Sequence, residues 1–74
     1  MRLFVTGTNG FIGTHLLDAV LTTTDWQVSG FDIASTNLAP YEGNSQFSFR
    51  RGDIFKDNEA LEAEVIKSDA VIPL

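Results

Sequence analysis

Residues Leu3 to Leu17, LFVTGTNGFIGTHLL, decide the fold, because a hydrophobic run passes into a helical pattern through a glycine-rich turn. The three glycines, spaced three residues apart, are Gly7, Gly10 and Gly13. Arg2–Thr6 is β-rich and apolar without clean alternation, which is typical of a parallel strand buried on both faces. From Phe11 the apolar residues recur every three or four positions, which predicts a helix of about 11 residues.

The predicted helix has an apolar face that we expect to meet the core. Its members are Ile12, Leu16, Ala19 and Val20, and Leu17 and Leu21 widen it. We also expect the side chains of Phe11 and Ile12 to belong to the core. The threonine run Thr22–Thr24 is β-branched and a weak helix former, so it marks the end of the helix.

The rest of the chain alternates strands with loops and one more helix. We predict strands at Gln27–Ile33, Phe47–Arg50 and Ala70–Leu74, with a loop from Ala34 to Gln46 that holds a short helical turn near Thr36–Tyr41. A second helix starts after Asp57 or Asn58 as N-cap, ends near Lys67, and has Leu61, Val65 and Ile66 as its apolar face. This alternation predicts an α/β fold, a partial Rossmann fold with a parallel sheet in the order 3-2-1-4 and flanking helices.

Composition limits the classes of protein and partner. Seventy-four residues allow one domain. Ten acidic residues against five basic ones disfavour nucleic acid and anionic membranes as partners. The chain has no cysteine and one histidine, His15, which excludes thiolate and histidine-cluster metal sites. No run approaches the roughly 20 apolar residues of a membrane span, and we expect no membrane partner and a cytoplasmic location.

The glycine junction predicts an anion site. A strand that turns sharply into a helix leaves the first helical N–H groups without partners, and the helix dipole favours negative charge there. We assign Gly7 to the tight turn, Gly10 to close approach of a ligand, and Gly13 to close packing of helix and strand. The spacing is not G-x-G-x-x-G, and no Gly-Lys-Ser/Thr follows as in a P-loop, so the glycines alone also fit a turn without a ligand.

Asp32 favours a dinucleotide as the ligand. It lies at the end of the second predicted strand, 19 residues after Gly13, where a dinucleotide fold places a carboxylate for the adenosine ribose. Its alternative role is that of a cap or turn residue. A carboxylate there repels a 2′-phosphate, and no arginine or lysine follows Asp32 before Arg50. The sequence therefore predicts NAD rather than NADP.

Four stretches carry a resemblance to a known family: VTGTNGFIGTHL, GFDI, RGDIFK and SDAVIPL. Together they resemble the N-terminal part of the extended short-chain dehydrogenase/reductase family, the NAD-dependent epimerases and dehydratases. That family includes nucleotide-sugar epimerases, dehydratases and decarboxylases. The N-G-F-I-G-x-H-L form and the D-A-V-I-P-L ending look most like UDP-glucuronic acid decarboxylases.

The resemblance implies an NAD site with assigned roles. Gly7, Gly10 and Gly13 would form the dinucleotide loop, with the Phe11 and Ile12 backbone N–H groups on the pyrophosphate. Asp32 would bind the adenosine ribose, with Ile33 close by. The Asp53 side chain and the Ile54 backbone would hold the adenine, and Leu74 would begin the wall beside the cofactor. Without the resemblance, Asp53 after Gly52 is an ordinary turn residue.

The resemblance also implies what these residues lack. The family's catalytic Ser/Thr and Tyr-x-x-x-Lys pair have no counterpart, because Tyr41 is followed by Glu-Gly-Asn-Ser. We therefore expect residues 1–74 to be the truncated N-terminal part of an NAD-binding Rossmann domain, with no catalytic residue and no turnover of its own. The resemblance implies that the whole protein acts on a UDP-sugar, and we expect UDP-glucuronate. The alternatives are a UDP-sugar 4-epimerase or dehydratase, a non-catalytic NAD(P)-sensing module, and a fragment that binds nothing.

The remaining distinctive side chains have structural interpretations. We expect His15, Trp26 and Tyr41 to be packing or surface residues, and Arg50 and Arg51 to be solvated charges. The fourth strand would present an apolar open edge, which invites pairing with another chain and predicts a possible homo-oligomer.

Overall fold

A computed structural model describes residues 1–74 and contains one four-stranded sheet in the order β3-β2-β1-β4. All neighbouring strands are parallel. The strands are β1 (Arg2–Thr6), β2 (Gln27–Asp32), β3 (Phe47–Arg51) and β4 (Ala70–Pro73), and the helices are α1 (Phe11–Thr23) and α2 (Asn58–Lys67), with a 3₁₀ turn at Ala39–Tyr41. The predicted fold class, strand order and flanking helices are confirmed.

The central strand β1 is buried on both faces of the sheet, as its apolar run predicts. Leu3, Phe4 and Val5 are all nearly inaccessible to solvent. Leu3 and Val5 pack in one core cluster with Leu17 and Val20 of α1. Phe4 points to the opposite face, where its ring meets Phe31 edge-to-face with centroids 6.3 Å apart. These two apolar layers hold the sheet between the helices.

Helix α1 differs from the prediction in length and in phase. It continues to Thr23, and the hydroxyl groups of Thr22 and Thr23 are satisfied within the helix by donating to the carbonyl oxygens of Asp18 and Ala19. Its buried residues are Gly13, Leu17 and Val20, with Leu16 and Leu21 half-buried.

The expectation that Phe11, Ile12 and Ala19 face the core is wrong. Phe11 is 79% exposed and Ile12 66% exposed, and Ala19 is exposed as well. The physical reason is that α1 approaches the strand–helix loop at Gly13, where it has no side chain. The helix is therefore rotated so that residues beside Gly13 in projection are buried, and Phe11, Ile12 and Ala19 lie around the outer side.

Helix α2 buries a carboxylate rather than its predicted apolar face. Glu64 is only 7% exposed, whereas Val65 is 47% and Ile66 82% exposed, so the prediction for these two is wrong. Leu61 is half-buried. The Ser29 hydroxyl of β2 donates a hydrogen bond to Glu64 Oε2 at 2.7 Å, and this contact turns the Glu64 side of the helix toward the sheet. The predicted start after Asp57 is confirmed, although the Asp57 side chain makes no capping bond to the helix.

Candidate functional site

The turn after β1 depends on the backbone freedom of Gly7. Its φ of +75° lies in the region that side-chain-bearing residues rarely adopt. Its N–H donates to the Phe31 carbonyl at 2.8 Å, and its own carbonyl accepts from the Gly10 N–H at 3.2 Å. These bonds lead the chain sharply from the end of β1 into α1.

Gly13 and Gly10 differ in what surrounds them. A Cβ on Gly13 would overlap the Gly7 carbonyl oxygen and lie 2.7 Å from Thr8 Cα. The helix thus touches the loop at Gly13, which confirms the expected packing role. A Cβ on Gly10 would meet only the Gly7 carbonyl oxygen, at 3.5 Å. Gly10 therefore leaves open space in front of the loop, as close approach of a ligand requires.

The first turn of α1 presents free hydrogen-bond donors. The N–H groups of Phe11, Ile12 and Gly13 make no hydrogen bond within the chain, and Gly10 has no side chain to cap them. No acidic residue occupies this first turn. Three unsatisfied donors at the positive end of a helix favour an anionic ligand.

Asp32 lies at the end of β2 and connects it to the glycine loop. Its Oδ2 accepts a hydrogen bond from the Asn9 N–H at 2.9 Å, and its Oδ1 accepts two, from the N–H groups of Ile33 at 2.6 Å and Ala34 at 3.5 Å. A carboxylate has about four acceptor positions, so Asp32 keeps about one for a hydroxyl ligand, on Oδ2. Ile33, beside it, is 68% exposed.

Asn9 is a residue of this region that sequence reasoning missed. Its side-chain Oδ1 accepts from the Asn37 N–H at 2.7 Å, and its carbonyl accepts from Asn37 Nδ2 at 2.9 Å. These bonds tie the glycine loop to the loop after β2. Asn9 alone gave no signal for this contact, because its partner is 28 residues away.

Asp53 and Ile54 follow β3 in a tight turn. Asp53 Oδ1 accepts from the Phe55 N–H at 2.8 Å, and the Asp53 N–H donates to Asp57 Oδ2 at 2.6 Å. The Asp53 carboxylate thus orders its own turn. The N–H and the carbonyl of Ile54 make no hydrogen bond within the chain, so this backbone is free to bind a polar ring edge.

Two adjoining clefts bring all ten predicted site residues together at the carboxyl edge of the sheet. A cleft of about 300 Å³ contains Gly7, Asp32, Ile33, Asp53, Ile54 and Leu74. A second, of about 400 Å³, contains Gly7, Gly10, Phe11, Ile12, Gly13, Asp32 and Leu74. The first cleft also has four lining residues that sequence reasoning missed: Thr6, Phe31, Gly52 and Phe55. Of these four, only Gly52 could have been predicted from the sequence, because it directly precedes the predicted site residue Asp53.

The two clefts offer polar and apolar groups to a ligand. Their lining contains backbone donors, carboxylates and apolar side chains, without tyrosine, lysine, histidine or cysteine. Tyr41 lies elsewhere, packed against the α1 core. Burial, together with the negative charge of Asp18, raises the pKa of Tyr41 above its ordinary value. No three potential ligand side chains are grouped to hold a metal ion. Neither helix has the length and hydrophobicity needed to cross a membrane.

Comparison with known proteins identifies the family. A model of the NAD dependent epimerase/dehydratase family matches residues 3–74. The chain therefore belongs to this family, as the resemblance of its four motifs predicted.

Solved structures agree with the fold. The PbgP3 protein from Burkholderia pseudomallei is 38% identical with a TM-score of 0.93, and the match covers 99% of this chain and 22% of that one. UDP-glucuronic acid 4-epimerase from Bacillus cereus, in complex with UDP-glucuronic acid and NAD, is 34% identical with a TM-score of 0.87, covering 100% and 26%. dTDP-glucose 4,6-dehydratase from Bacillus anthracis, in complex with NAD, is 22% identical with a TM-score of 0.85, covering 100% and 26%, and it supports the fold alone. The chain spans about a quarter of the length of these structures.

Proposed function

We propose that this chain is the NAD-binding part of an enzyme that modifies nucleotide sugars. The observation that carries the proposal is the convergence of free helix donors, an end-of-strand carboxylate and a free backbone segment on two adjoining clefts. Membership of the NAD dependent epimerase/dehydratase family supports it. So does the 34% identity to an epimerase whose crystals contain NAD and UDP-glucuronic acid.

The residues present fit each part of the cofactor. The N–H groups of Phe11 and Ile12 would bind the pyrophosphate, which the open space at Gly10 lets approach. The remaining acceptor position of Asp32 suits an adenosine ribose hydroxyl, with Ile33 beside it. The Asp53–Ile54 turn would receive the adenine.

The nicotinamide end of the site would begin at Leu74, next to Gly7. Leu74 donates its N–H to the Thr6 hydroxyl at 3.3 Å and is half exposed at the junction of the two clefts. NAD, when bound, supplies a hydride acceptor. The residues of this chain would bind and orient it.

For the whole protein we propose UDP-glucuronate as the substrate and decarboxylation as the reaction. The N-G-F-I-G-x-H-L and D-A-V-I-P-L motifs favour this reaction. A 4-epimerase is the second candidate, favoured by the similarity to the Bacillus cereus enzyme. Incubating the longest polypeptide that the gene encodes with UDP-glucuronate and NAD distinguishes the two. Loss of CO₂ and a UDP-pentose support the first, whereas a UDP-hexuronate epimer supports the second.

We propose no turnover for residues 1–74 by themselves, because they contain no Tyr-x-x-x-Lys pair and no catalytic side chain in the clefts. A non-catalytic NAD-sensing module would share the same binding site. The two differ in product formation by the longest encoded polypeptide, since a sensing module binds NAD without changing the sugar.

NAD binding is tested with the variant Gly10→Ala. Gly10 has a φ of −76° and a ψ of 175°, which alanine adopts readily, so the variant should keep the fold. The added methyl group should obstruct the pyrophosphate. In an NMR titration of the ¹⁵N-labelled chain with NAD, we expect shifts at residues 7–13 and at least about tenfold weaker binding by the variant, equivalent to 1.4 kcal/mol. Ser45→Ala, in an exposed loop, is the control. Absence of shifts at residues 7–13 of the unmodified chain at millimolar NAD would refute the proposal.

A further inference from the structure

The sheet places an arginine beside Asp32 that the order of residues along the chain does not reveal. Arg51 of β3 is the register partner of Asp32 in β2. The Gly52 N–H donates to the Asp32 carbonyl at 3.0 Å, so the two strands remain paired to this point. Paired strands lie about 4.8 Å apart, which brings the two residues side by side at the edge of the site.

Arg51 and Asp32 also project to the same face of the sheet. Side chains alternate along a strand, and Phe47 and Phe49 of β3 pack against the α1 core, as Val28 of β2 does. Arg51 lies two residues after Phe49 in β3, and Asp32 lies four residues after Val28 in β2, so each is on the same face as those residues. Both therefore lie on the α1 side, where the free N–H groups of the first helical turn are found.

The Arg51 guanidinium makes one side-chain hydrogen bond and no ion pair. Its Nη2 donates a hydrogen bond to Ser35 Oγ at 3.0 Å. No carboxylate lies within ion-pair distance of it. The one salt bridge of the chain joins two other residues, Lys67 and Glu64. A guanidinium has five N–H donors, so four remain for an anion, and the Ser35 hydroxyl keeps its own proton to donate.

We propose that Arg51 and Ser35 form an anion subsite beside Asp32 that receives the 2′-phosphate of NADP. The proposal rests on the NAD site described above, whose ribose position lies next to Asp32. Asp32 repels a 2′-phosphate, whereas Arg51 attracts it and can bind two of its oxygens. The preference between NAD and NADP is thus set by two opposing charges on neighbouring strands, and loss of the Asp32 charge alone shifts the preference toward NADP.

The test compares affinities for NAD and NADP in NMR titrations of the folded chain. Asp32→Asn should bind NADP at least about tenfold more tightly relative to NAD than the unmodified chain does. Adding Arg51→Met should remove this gain, whereas adding Arg50→Met, a change at the neighbouring arginine outside the subsite, should keep it. Ser35→Ala should remove part of it. An NADP/NAD ratio that does not respond to Arg51→Met overturns the inference.

A second variant series covers the case in which Asp32→Asn disturbs the loop, since Asp32 accepts bonds from Asn9 and Ile33. In the unmodified background, Arg51→Met should weaken NADP about tenfold relative to NAD, and Arg51→Lys should weaken it less. An unchanged ratio in this series also overturns the inference. NAD binding with no effect of Arg51 refutes only the subsite. Absence of binding of both nucleotides to the unmodified chain refutes the proposed function together with it.

Discussion

At the scale of single residues, Thr8 is unusual because its hydroxyl is buried without a partner. Its side chain is 0% exposed, and Oγ1 has no hydrogen-bond partner. Thr8 belongs to the glycine loop, and its hydroxyl faces β2, where a Cβ on Gly30 would lie 2.9 Å from Oγ1. A buried polar group without a partner costs about 1–3 kcal/mol, so Thr8 destabilises the loop that forms the site.

Replacing Thr8 by valine should stabilise the protein. Valine has nearly the same shape and removes the unpaired hydroxyl, so the free energy of unfolding should rise by about 1 kcal/mol. Urea denaturation followed by Trp26 fluorescence measures it. Ser45→Ala, at an exposed position away from the glycine loop, is the control and should have little effect. A lower stability of Thr8→Val would show that a buried water satisfies the hydroxyl.

Residue-level prediction succeeded where the backbone itself set the requirement. Gly7 and Gly13 were assigned correctly to turn and packing, because a positive φ and a close helix–loop contact both demand glycine. It failed for Phe11 and Ile12, whose hydrophobicity suggested burial although both are exposed. It also missed the position of Arg51, since the neighbour of Asp32 is fixed by strand register and not by distance along the chain.

At the scale of elements, helix α2 is attached to the sheet by a charged contact. Burial would raise the pKa of Glu64, but the hydrogen bond from Ser29 and the positive charges of Lys67 and Arg50 together hold the pKa below its ordinary value of 4.5. Lys67 Nζ lies 3.4 Å from Glu64 Oε1. A lowered pKa in the folded state means that the ionised carboxylate stabilises the fold above the ordinary pKa. This contribution is lost as the pH falls through the folded-state value.

Glu64→Gln should therefore change how stability depends on pH. Between pH 6 and pH 3, the unmodified chain should lose more free energy of unfolding than the variant does, because only the unmodified chain carries the carboxylate that becomes protonated. Urea denaturation at both pH values measures the difference. Glu62→Gln is a matched control, because Glu62 is an exposed carboxylate of the same helix. Parallel loss of stability in Glu64→Gln and the unmodified chain would contradict the role given to this carboxylate.

The helices show where the hydrophobic pattern is insufficient. In α2 the apolar spacing of Leu61 and Val65 predicted the buried face, but the hydrogen bond between Ser29 and Glu64 decided it. A bond between strand and helix residues 35 positions apart leaves no local signal. In α1 the pattern identified the helix correctly but not its rotation, which the contact at Gly13 determines.

At the scale of the whole molecule, the two edges of the sheet differ in how well they are protected from pairing with a strand of another chain. The β3 edge carries exposed Arg50 and Arg51, and charged residues discourage edge pairing. Strand β4 pairs only with β1 and has no charged residue, and Val71 is 41% exposed. The exposed side chains of Val65 and Ile66 on α2 add further apolar surface. The expected homo-oligomer remains a prediction, with β4 as the contact.

Self-association through β4 should depend on Val71. Analytical ultracentrifugation of the unmodified chain should show association that increases with concentration, and Val71→Lys should shift it toward monomer, because a charge on an edge strand opposes pairing. Ser48→Lys, an exposed change on the opposite edge, should leave association unaltered. A chain that stays monomeric at all concentrations would exclude β4 as a contact.

The topology was predictable because few arrangements are allowed. Parallel strands joined by right-handed crossovers leave few orders for this pattern, and the dinucleotide-binding arrangement selects 3-2-1-4. That order places the ends of β1, β2 and β3 at one edge. Gly7, Gly10, Gly13 and Asp32 could therefore be assigned from the sequence pattern. The other six site residues were implied only by the family resemblance: Phe11, Ile12, Ile33, Asp53, Ile54 and Leu74. The two tethers of the glycine loop, from Asp32 and from Asn37, could not, since both depend on side chains that meet across separate loops.

These two tethers of the glycine loop affect how much conformational entropy is lost when a ligand binds. With the Asn9 N–H held by Asp32, and Asn9 held in turn by Asn37, the loop already has its shape in the free protein. A dinucleotide would meet a preorganised surface, so little conformational entropy is lost on association. Asp32 would then accept hydrogen bonds from the Asn9 N–H and from a ribose hydroxyl at the same time. Ribose binding would therefore leave the bond that orders the glycine loop in place.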